Sequence, residues 1–243
     1  MRGVDAMAWK EWRSLATARN RTQLVLPLVA LAFLPIWAPF EMGSAWLRDP
    51  IFPTVFVIAT SLLVVGLIVP DAIAGERERR TLATLLAGPL SDGAILSGKL
   101  LVPVLVNEVV IMVMLAVSVL VANVTHWTGG VELFPIAMII GMCALGLVLG
   151  LFTAALGVLV SLRAATVQSA QQVLVAALMT PFLVGGVAFM LAATGGGPPP
   201  DWLVRGDVVI VILGACTVLA VVDAVLLWIV RLRFHRSRLI VLG

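Results

Sequence analysis

Six apolar runs, each near the length of a bilayer crossing, decide what this chain can fold into: Gln23 to Phe40, Pro53 to Ala74, Leu100 to Asn123, Phe134 to Leu162, Thr166 to Ala193 and Val208 to Val230. A hydrocarbon core of ~30 Å takes about 20 helical residues. Within it every backbone N–H and C=O must be satisfied inside the segment, so such runs are helices. Only 12% of the 243 residues are charged and 61% are hydrophobic, against roughly 25% and 45–50% in soluble domains. The expectation is an all-α membrane protein with six transmembrane helices, forming a single transmembrane domain over residues 1–243 with no nucleotide-binding domain.

The first run is not a cleavable signal, because Trp9-Lys10-Glu11-Trp12-Arg13 and Arg19-Asn20-Arg21 interrupt the part that would have to be apolar. With the N-terminus placed in the cytoplasm, fourteen of the sixteen Lys and Arg residues fall inside, and only Arg48 and Arg205 fall outside. Both termini are therefore expected on the cytoplasmic side of the plasma membrane. Cys143 and Cys216 lie within spans, where a small soft hydrophobe is the ordinary reading. Neither has a CxxC partner, and His126 and His235 are far apart in sequence, so no metal site or cofactor is expected in this chain. An intramembrane hydrolase would need a nucleophile and a base at one depth, and neither His lies in a span.

The most polar stretch, residues 75–99, contains Gly93-Ala-Ile-Leu-Ser-Gly98-Lys99, the GxxxxGK portion of a phosphate-binding loop. The rest of that fold is missing. No strand precedes the loop, Leu100 occupies the position of the magnesium-binding hydroxyl, and the next helix enters the membrane. The physical pattern is different. Leu82, Leu85 and Leu86 recur at i, i+3 and i+4, on one face of a short helix, with Arg77, Arg80 and Thr84 largely opposite. Gly88 and Pro89 end it, and Ser91 is placed to cap the helix that carries Gly98 and Lys99 into the third span. On physical grounds this is either an interfacial helix with snorkelling arginines or an element that docks its apolar face into a cytoplasmic partner.

Glu76-Arg77-Glu78-Arg79-Arg80-Thr81-Leu82, Leu85-Leu86, Pro89 and Gly98-Lys99 resemble the signature of the type-2 permeases of ATP-binding-cassette exporters, E-x-E-x-G-T-L-E-x-L-L-x-x-P followed by GK, between the second and third of six helices. The segment 1–22, with Trp9, Lys10, Trp12 and Arg13, is similar to that family's amphipathic N-terminal helix, which lies flat in the inner leaflet. Arg80 stands where the family often has Gly, and Ala83 where it often has Glu. The resemblance implies a permease subunit of an ATP-driven exporter, not itself an enzyme. Two such permeases, identical or paralogous, pair in the lipid membrane, and two separate ATPase subunits hold the ATP and magnesium. It further implies that 75–99 is the coupling region, with Glu76, Glu78 and Arg79 in charge pairs at the ATPase contact and the leucines as levers. No nucleic-acid partner is implied.

Ionisable groups inside spans are costly and point to function by default. Counted from Lys99 and Arg231, Glu108 and Asp223 lie on the order of 12–14 Å deep, and Gln171 and Gln172 reach a similar level, with Asn107 beside Glu108. One polar layer facing other helices or a cavity is the expectation. An alternative function follows from the same residues: an ion-gradient-driven transporter or channel using Glu108 and Asp223. A scaffold without transport activity is a third reading.

Overall fold

The computed structural model describes residues 2–17, 21–81, 90–194 and 208–233. Among the described residues, eight helices carry the fold: α1 (Arg2–Thr17), α2 (Arg21–Met42), the short α3 (Ser44–Arg48), α4 (Ile51–Glu78), α5 (Asp92–Thr125), α6 (Ile136–Ser161), α7 (Val167–Thr194) and α8 (Val208–Arg233). Five of them, α4 to α8, hold stretches long and apolar enough to cross a membrane; the described apolar part of α2, Leu31–Met42, is shorter. The first expected span thus falls on a helix, and length and composition establish five crossings among the described residues. The proposed coupling helix, with Leu82, Leu85, Leu86 and Pro89, lies outside the described residues.

Burial orders the bundle from the inside out. Of the most apolar stretch of α4, 61% is buried, against 11% for α8. The helix α4 packs against α5, α6 and α7, while α8 leans on α6. The outer helices leave wide apolar faces open, as at Val109, Leu120, Val184 and Trp228, which suits a chain surrounded by hydrocarbon rather than water. One apolar cluster, including Ile73, Ile95, Leu100, Ala154 and Val230, draws α1, α4, α5, α6 and α8 together at the end that carries Arg77, Arg79 and Lys99. We call this the basic end. A second cluster at the opposite end joins Trp46 and Leu47 of α3 to Phe134 and Met138. There Arg48 pairs with Glu132 at 3.2 Å, and Asn123 holds the backbone of Glu132 by bonds of 2.7 Å in both directions.

Small residues set the helix separations inside the core. A Cβ at Gly146 would lie 2.6 Å from Ile111, one at Gly150 would lie 3.3 Å from Asn107 Nδ2, and one at Gly157 would lie 2.8 Å from Val69. At Gly141 of the same helix, by contrast, a Cβ would meet nothing within 4 Å. Pro181 sits within α7 without ending it.

Candidate functional site: a charged junction at the basic end

The local structure begins with Pro70. Proline has no N–H to donate to the preceding turn, and directly after it α4 widens into a π-turn over Asp71–Gly75 before three α-helical residues, Glu76–Glu78, complete the helix. Such turns are rare and recur at functional sites. The helix then closes with Thr81 N–H donating to Glu76 C=O at 2.9 Å and Arg80 N–H to Arg77 C=O at 3.0 Å. This is the Schellman pattern, whose penultimate residue takes the left-handed conformation. Arg80 occupies that position at φ 55°, alone among the described non-glycine residues.

Each of the four charged residues ahead of that turn reaches a different element. Glu76, itself buried, accepts from Lys10 of α1 at 2.5 Å and lies 3.3 Å from Lys99 of α5. The Arg77 guanidinium donates to the carbonyls of Ala164 at 3.0 Å and Leu162 at 3.2 Å, just past the C-terminus of α6, where a cation also meets the negative end of the helix dipole. Glu78 accepts the N–H of Val167, the first residue of α7, at 2.7 Å. Thr166 and Ser169 cap the same terminus reciprocally. Arg79 folds back on its own helix, to Asp71 at 2.9 Å and to the Gly75 carbonyl at 3.0 Å.

Lys99 is the centre of this junction. Its side chain is 1% exposed, and its ammonium lies 3.0 Å from Glu11 of α1 and donates to the Ala72 carbonyl in the π-turn. Lys10, Glu11, Glu76 and Lys99 make a charge-balanced quartet, the arrangement that a buried ammonium requires. The neighbouring glycine makes the approach possible. A Cβ at Gly98 would stand 2.6 Å from Met7 Cγ and 3.3 Å from the Ala8 nitrogen, so α1 passes directly over the Gly98-Lys99 pair. Ser91 caps α5 by accepting from Ala94 N–H at 3.2 Å, and Gly93 through Lys99 are plain helix. The phosphate-loop resemblance ends here: its glycine is a helix crossing, and its lysine is held by carboxylates.

The inner face of α1, with buried Met7 and Glu11 one turn apart, packs on α5, and Trp9 and Trp12 are exposed at 64% and 53%. Arg13 lies 5.9 Å from the Trp9 ring. Exposed tryptophans with flanking cations fit the headgroup region of a membrane. Sequence reasoning picked out Glu76 to Thr81 and the tryptophans, but not Glu11 or Lys99 as partners. The available signals were Glu11 one turn past Met7 and a lone Lys at the start of an apolar span.

Among the described residues the intramembrane polar side chains do not gather into a single layer. Asn107 donates to Ser61 Oγ at 3.2 Å and to the Gly146 carbonyl at 3.3 Å, tying α5 to α4 and α6. Gln171 reaches the Leu67 carbonyl at 2.7 Å, six residues from Ser61 and therefore about 9 Å further along α4. Gln172 is exposed. Glu108 is half-buried beside Gly146. Asp223 is 2% exposed, and neither of its oxygens has a hydrogen-bond partner among the described residues.

Residues 51–202, which include the π-turn, the charged segment and α5 to α7, match the family described as ABC-2 family transporter protein. The chain belongs to that family. It is a multi-pass membrane protein and the membrane part of a transporter. No relative among curated proteins matches it. In this ABC-2 permease the family match starts at α4, so α1, which supplies half of the charged quartet, lies outside the matched region.

Proposed function

We propose that this chain is the permease subunit of an ATP-driven exporter, pairing with a second copy or a paralogue and coupled to two separate ATPase subunits that hold ATP and magnesium. The basic end faces the cytoplasm, with both termini on that side of the plasma membrane, and residues 82–89 contact the ATPase. The observation that carries the reading is the distribution of Glu76, Arg77 and Glu78. Within three residues, just ahead of 82–89, one helix end grips α1, α5, the end of α6 and the start of α7. A push delivered at 82–89 meets a junction linking five helices rather than a loose loop. Movement of one helix end is then passed to the others, because packed interfaces shift between discrete arrangements.

The experiment is co-purification of the tagged chain from its native membrane, followed by ATP hydrolysis and transport in vesicles. The proposal expects an ATPase subunit in the complex and ATP-dependent movement of solute. Uptake or efflux by the chain alone, driven by an ion gradient, would replace it with the reading built on Glu108 and Asp223, which is favoured by an Asp223 carboxylate without a hydrogen-bond partner among the described residues.

A further inference from the structure

The helices α7 and α8 both lean on α6, and between them lies a trough of about 610 Å³, within the ~300–1,000 Å³ range of small-molecule clefts. Its sides are apolar, with Leu156 and Val160 on α6, Val173 on α7 and Ile229 on α8. At its basic end stand Arg163 and Arg233, and no carboxylate lines it. Both arginines are exposed, and neither has an ion-pair partner among the described residues. The polar group between them, Ser169, is committed to the α7 cap with Thr166. On the other flank of α8 a groove of about 410 Å³, walled by Leu100, Leu151 and Leu227, ends at Arg231. Two residues apart on a helix means about 200° of rotation, so Arg231 and Arg233 place one guanidinium at the mouth of each groove. The sequence continues with Arg236 and Arg238. A cluster of this kind immediately beyond a spanning helix is the pattern of anionic-lipid recognition.

We propose that the trough between α7 and α8 binds an anionic phospholipid, its acyl chain along the apolar walls and its phosphate on Arg163 and Arg233. The proposal rests on the membrane orientation given above, which puts these arginines at the inner-leaflet headgroups. An acyl chain gains little by leaving bilayer hydrocarbon for an apolar groove, so selectivity comes from the headgroup. Guanidinium binds phosphate through paired N–H donors. A zwitterionic phospholipid carries the same phosphate with a compensating cation, and discrimination therefore follows net charge.

The test uses the whole chain purified in phosphatidylcholine and titrated with phosphatidylglycerol, with bound lipid counted by native mass spectrometry. Wild type should retain phosphatidylglycerol over phosphatidylcholine. Arg163→Gln with Arg233→Gln should weaken that retention roughly five-fold per guanidinium, about 30-fold together, while Arg163→Lys with Arg233→Lys keeps most of it. Arg48→Gln, the loss of one such charge at the opposite end, should leave it unchanged. Unfolding in phosphatidylcholine alone reports whether each variant is folded. In wild type, raising salt should release the lipid, a reading that needs no variant. Equal retention of the two lipids, salt-independent retention, or an unchanged double Gln variant overturns the proposal. So does full displacement by inorganic phosphate, which would make the site one for a free anion.

Discussion

Lys99 is the most informative residue to remove. At 3.0 Å from Glu11 and 3.3 Å from Glu76, each contact is worth about 5 kcal/mol at an effective dielectric near 20, offset by several kcal/mol of desolvation per ion. Lys99→Met keeps the stem and removes the charge. Lys10 still holds Glu76 at 2.5 Å, so one carboxylate, Glu11, is orphaned, and the cost sits near the lower end of the ~3–5 kcal/mol range for a broken buried pair. Because Glu11 is on α1, that cost appears as undocking of α1. Met7 is 1% exposed beneath that helix, so Met7→Cys in a Cys143→Ala, Cys216→Ala background reports the open population through its rate of maleimide labelling. About 3 kcal/mol predicts labelling ~10²-fold faster in Lys99→Met. Adding Glu11→Gln removes the orphaned charge and should return the rate to within about ten-fold of the parent, since removing both partners of a buried pair is often close to neutral. Lys99→Met labelling at the parental rate, or a double variant worse than the single, refutes the account of the quartet.

Three further outcomes are expected. Gly98→Ala drives a methyl into Met7 and should destabilise the docked α1 by about 1–3 kcal/mol, with Met7→Ala in the same chain recovering most of it; equal labelling of a reporter cysteine in all three forms would contradict the close crossing. Arg80→Gly removes a side chain from a left-handed position and should stabilise the helix end by about 1 kcal/mol, read as resistance to unfolding in detergent; a loss of stability would contradict the Schellman geometry. If Asp223 and Glu108 serve transport, Asp223→Asn and Glu108→Gln should abolish it while assembly and ATP hydrolysis persist, and unchanged transport assigns them to packing.

The apolar runs read from sequence coincide with helices to within a few residues on their outer sides, because hydrocarbon length and hydrogen-bond ladder end together there. At the basic end two of them do not. The run expected to begin at Leu100 belongs to a helix that starts at Asp92, and the run expected to end at Ala74 belongs to one that ends at Glu78. Hydropathy marks the bilayer, while the ladder continues through charged turns that other helices support. The charges themselves were legible as a cluster, but their partners were not. Glu76 meets Lys10, and Lys99 meets Glu11, across 66 and 88 residues of chain, through a crossing set by the missing side chain of Gly98. The Gly-Lys pair read as a phosphate loop for the same reason: a local pattern cannot show that a helix lies over it. The polar residues of the spans matched in depth by counting, yet depth alone does not give rotation, and rotation turns Gln172 outward while Gln171 points to α4.

The central claim is that the segment following Glu76–Arg79 is where an ATPase subunit bears on this permease. Leu85→Cys, in the same cysteine-free background, tests it by crosslinking in native membranes with and without ATP and magnesium. The account predicts an adduct containing an ATP-hydrolysing subunit, with a yield that changes when ATP is bound. An adduct with lipid or with unrelated proteins, and none with an ATPase, would contradict it.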